Sequence, residues 1–136
     1  MLSLEAVIAT RLREGLAPAW TVMGLATDPG RRDSWPLVSV AFDDGDVPDS
    51  KAGAAAVRCA WRVTLVAKRG TDVAALVDTA LADCMALLHN WAPGQVAGRQ
   101  WERMRLVQIQ PPQYPEDGLV GFDLTFSTQA RYDGCE

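Results

Sequence analysis

Between Ala56 and Lys68 the chain alternates with a period of two. Val57, Cys59, Trp61, Val63 and Leu65 fall on one side, and Arg58, Ala60, Arg62, Thr64 and Val66 on the other. Successive side chains of an extended strand point to opposite faces, so this segment predicts a strand with one apolar and one partly cationic face. Such a strand belongs to an antiparallel sheet with one face covered, not to a parallel sheet buried on both.

The cover is written in the same sequence. Residues 72–91 carry a wide apolar stripe at helical spacing: Val73, Leu76, Val77, Ala80, Leu81, Cys84, Leu87, Leu88 and Trp91. Thr71 or Asp72 is placed to cap this helix, and Pro93-Gly94 stops it. Residues 3–16 repeat the pattern with Leu4, Ile8, Leu12 and Leu16 on one face and Val7 beside them. Ser3 is the expected cap, Glu5 suits the positive end of the helix dipole, and Gly15 and Pro18 close the segment. Further strands are expected at 20–25, 36–42, 101–110 and 119–128. Polar loops are expected at 27–34 and 95–100, an exposed mobile loop at about 43–55, and a frayed tail at about 129–136.

The predicted order is α-β-β-β-α-β-β. The predicted class is α+β: a mostly antiparallel sheet of about five strands, with mixed pairing left open, covered by two amphipathic helices. Whether both helices lie on one face stays open. A chain of 136 residues fits a single domain, 1–136, able to bury roughly 70% of its unfolded surface without a metal or disulfide.

Composition narrows the function. The net charge is −4, with eleven Arg and two Lys among the basic residues. An acidic chain lacks the footprint of a nucleic-acid binder, and no direct nucleic-acid binding is expected. No apolar run reaches the ~18 residues of a membrane span, and no membrane partner is expected. The three Cys include no C-x-x-C pair, which suits reduced thiols.

Chemical motifs are sparse. The single His, His89, lies near a helix C-terminus, where its charge is favourable for structural reasons alone. No Cys or second His stands at ligand spacing, and no phosphate-binding glycine loop or nucleophile elbow is present. The run Asp43-Asp44-Gly45-Asp46 has an acidic look but lacks the Gly and Glu spacing of a calcium loop, so a solvated turn is expected. No catalytic residue, metal ligand or cofactor is expected. What remains are surface features suited to a partner: Arg31, Arg32, Arg58 and Arg62 as the cationic set, and Asp43, Asp44, Asp46 and Asp49 as the acidic set. Trp35 joins them, either as a contact residue or as a lid on the core.

Read together, several stretches resemble one family. They are the leading helix, Trp20-Thr-Val, Pro36-Leu-Val-Ser-Val-Ala-Phe42, Trp61-Arg-Val-Thr-Leu-Val-Ala-Lys-Arg-Gly70, Leu87-Leu-His-Asn-Trp-Ala-Pro-Gly94 and Gly118-Leu-Val-Gly-Phe-Asp-Leu-Thr-Phe-Ser-Thr128. The layout resembles the small tail-terminator and minor tail proteins of long-tailed bacteriophages, the lambda-type protein U group, over nearly the full chain. The resemblance implies a six-membered ring that stops the growing tail tube and then receives the head. The implied partners are other copies of the chain, the tail tube protein and a head-completion protein. The implied location is the host cytoplasm during assembly, then the virion tail. A ring joins unlike patches head to tail, so the cationic set is expected to face the acidic set of the next subunit. Other readings are a head–tail connector and a small enzyme or ligand-binding domain.

Overall fold

The strand read from alternation, β3 (Ala54–Lys68), lies at the centre of the sheet. The computed structural model describes residues 1–26, 35–112 and 118–134. Around β3 the chain runs α1 (Ser3–Gly15), β1 (Thr21–Gly24), β2 (Leu37–Lys51), then after β3 α2 (Val73–Leu88), β4 (Gly94–Val96), β5 (Arg99–Trp101), β6 (Arg105–Gln110) and β7 (Leu119–Asp133). Five strands form one sheet in the order β1-β2-β3-β7-β6, and β4 and β5 form a separate two-stranded hairpin. The fold is α+β, with the expected element order once that small hairpin is set aside.

Pairing is antiparallel everywhere except between β1 and β2, which run parallel. A parallel pair needs a long return, and the connection 25–36 supplies one where a tight turn could not. The alternation of β3 holds: Cys59, Trp61, Val63 and Leu65 are buried, while Ala60, Arg62, Thr64 and Val66 are half-buried and Arg58 is exposed. Opposite the buried row stand Val38 and Val40 of β2 and Leu124 and Phe126 of β7. Leu4, Ile8 and Leu12 of α1 and Val77, Ala80, Cys84 and Leu88 of α2 join the same apolar cluster, so both helices cover one sheet face. Each fully buried Leu or Ile contributes about 1.5–3 kcal/mol of transfer free energy.

The helices are fastened to the sheet and to each other by polar contacts. Glu5, 1% exposed, accepts the Ala26 N–H through both carboxylate oxygens at 3.1 Å. Arg13 donates from Nε and Nη2 to the Val22 carbonyl at 3.2 and 3.0 Å. Arg11 donates to the Leu87 carbonyl at 3.1 Å and stacks 5.3 Å from the Trp91 ring. Gly15 sits against Leu87, where any Cβ would collide with that side chain.

Several expectations need correction. The segment from Asp43 to Lys51, expected as loop, is the second half of β2, and only Ala52 and Gly53 separate it from β3. Its acids and Pro48 hid the strand, and two register shifts, at Phe42/Asp44 and Asp46/Asp49, broke its periodicity. The tail residues 129–133 continue β7, in register with β3 as far as Asp133↔Ala54. Residues 94–101 make the β4–β5 hairpin rather than a loop, turning through Ala97 and Gly98 at positive φ. The strand expected at 101–110 divides, because Met104 pairs its backbone with Asn90 and Trp91 instead. Residues 72–91 are helical only as far as Leu88, and Asn90 takes a positive φ of 64°. Neither helix carries a side-chain cap: Leu2 stands at the N-cap of α1 and Asp72 makes no cap bond to α2.

Candidate subunit interface

β2 and β3 continue together past Phe42 as an arm, with the end of β7 beside β3. Every residue of β2 from Phe42 to Lys51 is exposed. The arm's acidic residues lie across the ladder from its arginines. Asp46 is in register with Arg58 and accepts its Nε at 2.9 Å, with a second bond from Nη2 to the other oxygen. Asp43 accepts Arg62 Nη1 at 3.0 Å. The bond from the Arg58 guanidinium holds the Asp46 carboxyl below the usual carboxylate range, and Asp46 in turn holds Arg58 above its ordinary value.

The structure therefore joins Asp43 to Arg62 and Asp46 to Arg58 within one chain. Salt bridges from Arg58 and Arg62 to neighbouring residues on an exposed sheet face are what their shared strand face suggests; the pairing of the two sets across a seam is the alternative, and the structure shows the internal pairs. The remaining acids behave differently. Asp44 accepts only the N–H of the next residue, Gly45, at 2.8 Å. The Asp49 side chain forms no ion pair or hydrogen bond among the described residues. Trp35 is half-buried just ahead of β2. Arg31 and Arg32 lie outside the described residues.

The opposite edge of the sheet carries residues that the sequence reading passed over. β6 holds Arg105, Val107 (56% exposed) and Ile109 (45% exposed), with Gln108 also exposed. A register shift between Leu106 and Gln108 resets which residues face the core. Met104 is buried and Leu106 half-buried, while Gln108, next in the same alternation, is exposed. Two apolar residues alternating with two glutamines were the available signal, but the bulge could not be seen in it. Between the two edges a shallow groove of about 390 Å³ crosses the helix-free face, lined by Asp44, Asp46, Arg58, Arg105, Val107 and Ser127.

His89 has a structural task. Its Nδ1 accepts the Leu106 N–H at 3.1 Å, tying the exit of α2 to the start of β6. The thiols are buried: desolvation pushes Cys59 up and Cys84 up to about 12. Among the described residues no three His, Cys, Asp or Glu side chains come together as a metal-binding group. No helix among them is long and apolar enough to cross a membrane.

No family model matches the chain, and no curated protein matches it. Among solved structures it is similar to a chain of the virion of a native gene transfer agent particle. The identity is 18%, the TM-score 0.62, and the match covers 97% of this chain and 96% of that one. At that identity the likeness establishes a shared fold from end to end.

Proposed function

We propose that this chain is a structural protein of a phage-like virion and, within that class, a tail terminator. In this reading copies of it form a ring, six-membered as in the family it resembles, on the end of the tail tube. The ring ends tube polymerisation and then offers its outer face to a head-completion protein. It assembles in the host cytoplasm and remains in the virion tail. The near-complete overlap with a chain of a gene transfer agent virion supports the virion class, and the tail-terminator role within it rests on the sequence resemblance.

The surface chemistry suits the role. A cap must match the tube's end and deny that end to the next tube subunit, which calls for complementary shape and charge rather than a reaction centre. The exposed arm with Asp43, Asp44, Asp46, Asp49, Arg58 and Arg62, together with Arg31, Arg32 and Trp35, supplies the surface assigned to subunit and partner contact. The test is electron microscopy of particles made after the gene is deleted from its phage or prophage. Overlong tails without heads, beside filled heads, are the expected result. Tails of normal length that fail to join heads would move the protein to the head–tail connector, and intact particles would overturn a virion role.

A further inference from the structure

The sheet ends in two unlike edges. On one side β1 pairs with β2 only from Leu37 to Val40, and among the described residues nothing pairs with the outer side of β2 beyond that point. This free stretch is acidic: Asp43, Asp44, Asp46 and Asp49. Asp43 and Asp46 are neutralised by Arg62 and Arg58, which among the described residues leaves Asp44 and Asp49 against the single Lys51 and the stretch still net acidic. Val47, 55% exposed, stands between Asp44 and Asp49. On the other side lies β6, where the Arg105 side chain forms no ion pair or hydrogen bond among the described residues. Arg103 precedes it, and no acid occurs from Arg103 to Pro112. Val107 and Ile109 are exposed there.

Exposed sheet edges invite pairing with another chain, and charges on an edge decide which pairing is allowed. Two acidic arms repel each other, as do two β6 edges that both carry arginine. Only the unlike edges attract. They lie on opposite sides of one sheet, so their contact is head to tail, the kind that closes into a ring. We infer that the β6 edge of one copy, through Arg105, Val107 and Ile109, receives the β2 arm of a second copy, through Asp44, Val47 and Asp49. The seam is carried by side chains more than by a continuous backbone ladder. Pro48 lacks an N–H, two register shifts interrupt β2, and the Leu106 N–H is already given to His89. The inference rests on the ring reading above for its closure, and on the two edges alone for the contact.

Cysteine cross-linking tests it in the full chain, with Cys135→Ser as background and Cys59 and Cys84 left buried. Two double variants, Val47→Cys with Val107→Cys and Asp49→Cys with Ile109→Cys, allow for either alignment of the strands: the first link fits an antiparallel pair with Asp49 beside Arg105, and both fit a parallel one. All four sites are exposed, so thermal melts should match the parent. At millimolar protein under mild oxidation, at least one double variant should give a ladder of chain multimers that ends in a closed species. Each single variant should stay monomeric. An equimolar mixture of the two singles from the productive pair should stop at dimers, because each copy then has one reactive edge. Dimers in either single variant would show a like-to-like contact and overturn the proposal, as would the absence of chain-to-chain links in both doubles. Rings seen by microscopy without these links would leave the ring reading standing and remove this seam. The links without any effect of gene deletion on tails would do the reverse.

Discussion

Gly121 stands opposite Val66 in the β3–β7 ladder, and a Cβ there would run into the backbone carbonyl of Leu65. Backbone cannot yield as a flexible side chain can, so Gly121→Ala should destabilise the fold by about 3 kcal/mol. The denaturant midpoint measures this, and an unchanged midpoint would contradict the close approach. The buried thiols make a second prediction. With Cys84 pushed up to about 12 and Cys59 raised by burial, neither forms a thiolate near pH 8. In a Cys135→Ser background a thiol reagent at that pH should label nothing until denaturant is added, and then two sites. Fast labelling of the native protein would place a thiol at the surface. At the surface itself, Arg58 bonds the ionised form of Asp46 and lowers its pKa from 3.8. The stabilisation is therefore present above pH 3.8 and is lost as pH falls through the lower folded value. Carboxyl NMR should find Asp46 titrating below an ordinary aspartate, and Arg58→Gln should restore it.

At the scale of elements, periodicity located what was regular and missed what was interrupted. Both helices and β3 were legible because one face of each is continuously apolar. The second half of β2 was not, since its residues are exposed on both sides and alternation carries no hydrophobic signal there. What holds it as a strand is pairing with β3, through Gly45↔Cys59 and Lys51↔Ala54. β7 is similar: residues 129–133 are polar at intervals, but they run beside Ala54 to Arg58. Caps behaved in the same way. Ser3 and Asp72 are good capping residues by type, yet neither makes the bond. The first turn of α1 is closed by Met1 and Leu2 carbonyls instead, and Glu5 is drawn inward to the Ala26 N–H. A carboxylate read as a partner for the helix dipole is thus also the tie between α1 and the exit of β1.

For the whole molecule, the proposed role is assembly, and its prediction concerns Arg58. Arg58→Glu should weaken ring formation, followed by microscopy or native mass measurement, while the thermal melt hardly moves because the Arg58–Asp46 pair is solvent-exposed. Loss of folding instead would sink the interface reading of this residue. The double exchange Arg58→Asp with Asp46→Arg restores the internal pair, so recovery of assembly would assign Arg58 to holding the arm rather than touching the neighbour. Class, element order and the apolar rows of the helices and β3 could be read from residue types, because an apolar face depends on local spacing; the burial of Glu5, Asp123, Thr125 and Thr128 and the exposure of Leu76 could not. The pairing of each acid with its arginine, the parallel docking of β1, both helices on one face and the two unlike edges could not. These depend on which distant segments lie side by side, and a bulge of one residue in β2 or β6 resets that register while leaving the local pattern almost unchanged.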